Sequence, residues 1–242
     1  MIRGIIFDYG GTLDTNGIHW AEVLYRVYLL LHLPVKYDDF REAYVHGERT
    51  MGKQPLVKPT DNFQQVLYIK CRLQLQFLVD KGLLDATKYP VEAYAGRISR
   101  DCYIMARNVT HSAQKVLQSL ERKYKMVLVS NFYGNIHTIL EDFGLLCHFE
   151  RVVESSVVGV RKPDPAIFEL GVEALGLTPD EVAVVGDSYT KDILPAHSLG
   201  CHTVWLKGIG WEEEAHDESL PSAVIGSLEE LPEVIEKIKQ KE

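Results

Sequence analysis

The chain has 242 residues, of which 46% are hydrophobic and 25% charged, with a formal net charge of −8. That balance fits a globular protein with a sizeable core in one large or two small domains, and it argues against a non-specific nucleic-acid binder, which would carry a basic surface. Cys71, Cys102, Cys147 and Cys201 are scattered without metal-ligand spacing, the N-terminus lacks a secretion-signal pattern, and no apolar run approaches the ~20 residues of a membrane span, so the expected setting is cytoplasmic.

The first predicted element is a strand. Ile5, Ile6 and Phe7 form a short apolar run that fits a strand buried on both faces, and it ends in Asp8-Tyr9-Gly10-Gly11-Thr12. In an open parallel sheet, ligands bind beyond the carboxyl ends of the strands. Asp8 would therefore sit where chemistry happens, with a glycine turn letting a substrate approach the backbone. The alternative is an Asp that merely caps the turn after it.

Helices follow. Ile18 to Leu33 reads as one, with Asn16 or Thr15 as N-cap and Pro34 as its stop. Asp38 to Glu48 reads as a second, more polar helix, and the two prolines between Gly52 and Thr60 predict a loop. Asp61 or Thr60 then caps a helix through Leu78, with Phe63, Val66, Leu67, Cys71, Leu75 and Leu78 at helical spacing. Pro90 opens another helix towards Ala106. The frequent aromatic residues of this region read as core packing.

From Ser112 onward helix and strand alternate. Ala113 to Tyr124 is an amphipathic helix, and Met126 to Val129 a buried strand ending in Ser130-Asn131. A helix from Ile136 to Phe143, a strand near Val152, and a helix from Pro165 to Leu175 come next. The strand Val182 to Val185 ends in Gly186-Asp187-Ser188, and Ile193 to Leu199 is helical. Strands at Thr203 to Leu206 and Val224-Ile225, then a helix from Leu228 to Lys239, complete the chain, with Glu212-Glu213-Glu214 as a solvated loop run. Repeated βα units imply an α/β fold, a Rossmann-like doubly wound parallel sheet. The domain division expected is 1–15 with 106–242 for the α/β core and 16–105 for an inserted all-helical cap lying over the carboxyl edge.

Three strands thus end in polar groups aimed at one place: Asp8, Ser130-Asn131 and Asp187. The stretch Val158-Gly159-Val160-Arg161-Lys162-Pro163-Asp164-Pro165 adds a lysine at a helix N-terminus. Carboxylates, a fixed ammonium, a hydroxyl and backbone N–H groups make a site for an anion with a divalent cation. Mg²⁺ takes oxygen ligands and typically uses one or two carboxylates plus substrate phosphate. Asp8, Asp187 and Asp192 are the available carboxylates, and Lys162 would balance charge on the phosphoryl oxygens.

These stretches resemble the four motifs of the haloacid dehalogenase (HAD) superfamily of hydrolases, in the helical-cap (C1-type) subgroup. Asp8 to Thr12 resembles the first motif, Val127 to Asn131 the second, Lys162-Pro163-Asp164-Pro165 the third, and Gly186-Asp187-Ser188 with Asp192 the fourth. The resemblance implies that Asp8 is a nucleophile forming an aspartyl-phosphate. It implies that Ser130, the Asn131 amide and Lys162 hold phosphoryl oxygens, with Gly11 and Thr12 beside the substrate. Mg²⁺ would be held by Asp8, the carbonyl of Gly10, Asp187 and Asp192, the last directly or through water. The expected partner is a small phosphorylated metabolite, with no nucleic acid and no membrane, for a monomer or homodimer.

One position departs from the pattern. Phosphatases of the superfamily usually carry a general acid–base Asp two residues after the nucleophile, and here that residue is Gly10. Such catalysis contributes typically ~100- to 10,000-fold. Three readings follow. The first is a phosphatase whose proton comes from another group, water or the substrate. The second is a carbon–phosphorus hydrolase similar to phosphonoacetaldehyde hydrolases, with Lys53 or Lys58 as a Schiff-base lysine. The third is a non-catalytic binder of a phosphorylated ligand or partner. Carbon–halogen hydrolysis is disfavoured, because the superfamily's dehalogenases need no metal and differ at the fourth motif. Asp14, Thr15 and His19 are open to capping, surface or substrate-contact roles.

Overall fold

A computed structural model of the chain describes residues 1–211 and 215–239; the expected solvated run Glu212-Glu213-Glu214 lies outside the described residues. The core is one six-stranded sheet: β1 (Gly4–Phe7), β2 (Lys125–Ser130), β3 (Arg151–Glu154), β4 (Val182–Gly186), β5 (His202–Leu206) and β6 (Ala223–Ile225). Its order is β3-β2-β1-β4-β5-β6, and every adjacent pair is parallel. The order reverses at β1. A crevice therefore opens at the carboxyl ends of β1, β2 and β4, the position where open parallel sheets bind ligands.

Both faces of the sheet are apolar, as the unbroken runs of β1 and β4 predict. Ile5, Phe7, Met126, Leu128, Ala183 and Val185 point into one cluster, and Ile6, Val127, Val129, Val182 and Val184 into the other. All are essentially inaccessible, each worth about 1.5–3 kcal/mol for a Val, Leu, Ile or Phe side chain. Ile167, Phe168, Val172 and Leu175 of the helix Ala166–Leu175 cover the second face. Residues from helices on either side of β2 and from the C-terminal helix cover the first.

The helices between β1 and β2 are α1 (Trp20–Leu30), α2 (Tyr37–Lys53), α3 (Phe63–Asp80) and α4 (Val91–Leu120). No strand occurs between β1 and β2. Several boundaries differ from expectation, each for a local reason. The α1 cap is His19, whose Nδ1 accepts from Ala21 N–H, because Asn16 adopts a left-handed turn (φ 52°) and bonds the Ser227-Leu228 segment instead. Asn62 caps α3 through a reciprocal box with Gln65, while Asp61 accepts from Lys58 N–H. α2 continues to Lys53, so Met51-Gly52-Lys53 is helical.

The largest difference is α4. The helices expected at Pro90 to Ala106 and Ala113 to Tyr124 are one continuous helix of 30 residues. The polar run Arg107 to Ser112 contains no proline or glycine, and Thr110 satisfies its hydroxyl on the Arg107 carbonyl one turn back. Arg107, Asn108 and His111 are exposed while Thr110 is buried, so the run continues the helix rather than breaking it.

Beyond β2 lie α5 (Ile136–Asp142), α6 (Ser155–Val158), α7 (Ala166–Leu175), α8 (Leu194–Ser198) and α9 (Leu231–Lys239). Between β4 and α8, Tyr189–Ile193 forms a wider π-helical turn, with Ser188 accepting from Lys191 N–H at its start. That turn carries Asp192.

Candidate functional site

Strand register brings the site together. Phe7, the last residue of β1, pairs with Leu128 on one side and Val185 on the other, so Asp8 emerges level with Val129, one residue before Ser130, and with Gly186. Asp8 N–H extends the ladder by donating to the Val185 carbonyl at 3.0 Å. Ser130, at the end of β2, is 1% exposed. Lys162 comes from the loop before α7, and its Nζ donates to Asp8 Oδ1 at 2.6 Å and to Asp192 Oδ1 at 2.7 Å.

The Asn131 side chain holds the lysine in place. Lys162 N–H donates to Asn131 Oδ1 at 2.9 Å, and Asn131 Nδ2 donates to the Lys162 carbonyl at 3.0 Å. The amide group thus grips both polar atoms of the lysine backbone and fixes where the ammonium points.

Asp8, Asp187 and Asp192 each offer a carboxylate oxygen, and these atoms lie within 4.8 Å of one another. Thr12 Oγ1 donates to Asp187 Oδ1 at 3.2 Å, and Ser188 N–H to Asp192 Oδ2 at 3.0 Å. Burial, opposed by Lys162, pushes the Asp8 carboxyl up to about 6. Burial and then the negative Asp8 and Asp192 raise Asp187 well above the usual carboxylate range. Burial pulls the Lys162 ammonium down, but Asp192 and Asp8 outweigh it and hold it above its ordinary value. One ammonium facing three mutually repelling carboxylates is a donor set that fits a small divalent cation with oxygen ligands.

The two glycines after Asp8 are not equivalent. At Gly11, φ is +97° and a Cβ would lie 2.3 Å from Asp187 Oδ2, so only glycine fits. At Gly10 a Cβ would meet nothing within 4 Å. Packing dictates the second glycine but not the first.

Two sets of residues were not assigned by the motifs. Asp14 is 1% exposed and accepts from Gly11 N–H at 2.7 Å and from Trp20 Nε1–H at 2.8 Å, which ties the β1 turn to α1. Burial lifts its carboxyl to about 7. The second set is Lys70, Glu48 and Tyr133. Lys70 Nζ lies 2.5 Å from Glu48 Oε1, and Tyr133 OH donates to Glu48 Oε2 at 2.9 Å. A signal was present in the sequence: Lys70 falls in the stripe Val66, Leu67, Cys71, Gln74, Leu75 that α3 buries. His19 lies edge-on to Tyr44 and tilted against Trp211, and burial lowers its imidazole to about 4. Thr15 donates to the Ile18 carbonyl and is a local turn residue. Lys53 lines a cavity of about 730 Å³ along α2, with Arg41, Arg49 and Trp211, apart from the carboxylates. Lys58 is exposed in the loop before α3.

Comparison with known proteins agrees with this geometry. The model for haloacid dehalogenase-like hydrolases matches residues 2–200. Haloacid dehalogenase-like hydrolase domain-containing protein 3 of Danio rerio is 40% identical over 108 residues, covering 45% of this chain and 44% of that protein. A phosphoserine phosphatase of Thermus thermophilus is 38% identical over 89 residues, covering 36% of this chain and 34% of the relative. The chain therefore spans less than half the length of these curated relatives. The structure of L-2-haloacid dehalogenase from Xanthobacter autotrophicus superposes over 98% of this chain and 99% of that one, with a TM-score of 0.60 and 18% identity, a likeness of fold. With its family model matched from the first strand through the fourth motif, the chain belongs to the haloacid dehalogenase-like hydrolases.

Proposed function

We propose that the protein is a Mg²⁺-dependent phosphohydrolase that cleaves a small phosphorylated metabolite through an aspartyl-phosphate on Asp8. The observation that carries this reading is the cluster of Asp8, Asp187 and Asp192 around the buried Lys162 ammonium. Phosphatase relatives such as that of Thermus thermophilus support it.

Asp8, the Gly10 carbonyl, Asp187 and Asp192 would hold the metal, which when bound neutralises phosphoryl charge and offsets repulsion among the carboxylates. Lys162 fixes one Asp8 oxygen, and the other attacks phosphorus. The bond from phosphorus to the leaving oxygen breaks, and that oxygen departs with its electron pair. Ser130 and Lys162 hold the phosphoryl oxygens. Water then attacks the phosphorus of the acyl phosphate, releasing inorganic phosphate and restoring the Asp8 carboxylate. Residues 16–105 act as a cap that excludes stray water from this intermediate.

No carboxylate at position 10 protonates the leaving oxygen, so its proton comes from water or from the substrate itself. The enzyme accordingly favours leaving groups of low pKa, such as aryl or acyl phosphates, over alkyl esters. The Schiff-base alternative loses its support. Lys53 and Lys58 are exposed, and the buried lysine of these helices is Lys70. Burial lowers that amine, but Glu48 outweighs it and holds Lys70 well above the usual range, protonated and unfit as a nucleophile.

The test is a panel of metabolite phosphates, aryl phosphates and phosphonates, run with and without Mg²⁺ on wild type and Asp8→Asn. Turnover that needs both Mg²⁺ and Asp8 is expected. Undiminished turnover by Asp8→Asn, or turnover of phosphonates alone, would overturn the reading.

A further inference from the structure

The helices between β1 and β2 reach the carboxyl edge of the sheet through a buried ion pair. Lys70 of α3 is 8% exposed, and its ammonium lies 5.8 Å from the Tyr44 ring centre and 5.7 Å from that of Tyr133. Its carboxylate partner, Glu48 of α2, carries the Tyr133 hydroxyl on its second oxygen. Tyr133 lies three residues beyond Ser130, in the segment that leaves β2.

The sheet side already grips that segment. Asn131 holds the Lys162 backbone, Phe132 N–H donates to Ser155 Oγ at 3.2 Å, and Gly134 N–H donates to Glu154 Oε1 at 2.5 Å. Farther along, Asn135 Nδ2 donates to the Asp61 carbonyl and Thr138 Oγ1 to the Pro59 carbonyl, at 2.7 and 2.6 Å. The Tyr133 hydroxyl donates a hydrogen bond from this segment to the helices, three residues beyond Ser130.

Stability does not account for the pair. Exchanging a buried ion pair for apolar side chains of similar volume is often neutral or stabilising. Lys70 is buried on the same helix as Val66, Leu67, Cys71 and Leu75. A charge kept there points to positioning.

We propose that Lys70, Glu48 and Tyr133 form a clasp that sets the Ser130-Asn131 segment against Asp8 and Lys162 when the helices close on the sheet. Lys70 orients the Glu48 carboxylate, and Glu48 holds Tyr133, which makes Lys70 and Glu48 positioning residues for hydrolysis. The inference rests on the hydrolase reading above.

The test uses Tyr133→Phe, which deletes one oxygen and keeps the fold, with Glu48→Gln and the double variant alongside. Two quantities are measured: the rate at which an amine-reactive reagent modifies Lys70, read by peptide mass spectrometry, and kcat with KM on an aryl phosphate. Loss of one hydrogen bond to a charged group should raise Lys70 modification in Tyr133→Phe by about tenfold. A misplaced phosphoryl-binding segment should lower kcat by about 10- to 100-fold, with KM changed far less. The double variant should fall short of the product of the two single effects, because Tyr133 and Glu48 share one contact. Unchanged Lys70 modification in Tyr133→Phe would overturn the clasp, and faster modification with unchanged kcat would overturn its positioning role. A wild type without turnover on any phosphate would overturn the hydrolase reading alone, since Lys70 modification reads the clasp independently of chemistry.

Discussion

Lys162 and Asp8, 154 positions apart in the chain, meet through an Nζ–Oδ1 contact of 2.6 Å with both side chains buried. The same ammonium also meets Asp192. Removing it leaves buried carboxylates with no fixed cation among them. Lys162→Met should therefore destabilise the metal-free protein by about 3 kcal/mol or more, and Mg²⁺ should restore part of that loss. Urea midpoints measured in chelator and in Mg²⁺ check this; equal losses in both conditions would contradict it.

Gly10 has room for a side chain, since a Cβ there meets nothing within 4 Å. Gly10→Asp should supply the missing acid and raise kcat/KM for alkyl phosphates by about 100-fold or more, with a smaller change for aryl phosphates. The decisive quantity is the alkyl-to-aryl ratio. If the ratio stays where the wild type has it, proton supply does not limit turnover.

Asp14 gives a pH dependence with a definite sign. Burial raises its carboxyl from 3.8 to about 7, so between those values the folded chain holds a proton that the unfolded chain has released. Its contribution to stability is present at low pH and is lost as pH rises from about 4 to about 7, by up to roughly 4 kcal/mol. Glu48 acts in the opposite sense: Lys70 outweighs burial and holds its carboxyl below 4.5, so its contribution is lost on acidification. In chelator, Asp14→Asn should flatten the decline between pH 5 and 7, at the cost of one of the bonds to Gly11 and Trp20. Denaturant midpoints across that range decide it; a variant with the wild-type slope would refute the assignment.

A divalent cation that binds only the folded chain should raise its melting temperature. At a concentration of 100 times Kd the gain is about 2.7 kcal/mol. Asp187→Asn, which removes one of the three clustered carboxylates, should abolish most of that gain while Ca²⁺-free, Mg²⁺-free stability holds or improves, because Asp187 is raised by burial and by its acidic neighbours. Thermal melts over a Mg²⁺ titration provide the measurement. A shift as large in the variant as in the wild type would exclude Asp187 from the site.

Local sequence carried the sheet well because its signals were local. The run Ile5 to Phe7 and the run Val182 to Val185 are apolar at every position, and both are strands buried on two faces. Asp8 and Asp187 converge because each directly follows a strand that the parallel sheet aligns, and the loop before α7 and the π-helical turn after β4 bring Lys162 and Asp192 to them. What escaped depended on partners far away in sequence. The grip of the Asn131 side chain on the Lys162 backbone could not be read from two residues 31 positions apart. Lys70 reads as one polar residue in an apolar stripe until Glu48 and Tyr133 are placed beside it. The run Arg107 to Ser112 reads as a break because composition alone does not distinguish a loop from a polar turn of a long helix that still buries Thr110.

α4 packs against α3 and α1 on one stretch and against α9 on another, so a rod of about 45 Å belongs to both parts of the molecule. The other crossing, residues 14–19, is a turn with left-handed Asn16 and Gly17. The two crossings differ in kind: one is a continuous helix, the other a short turn pinned to the far side of the sheet through Ile209, Ser227 and Leu228. A shift of the helices over the sheet would have to bend the rod and break those bonds together.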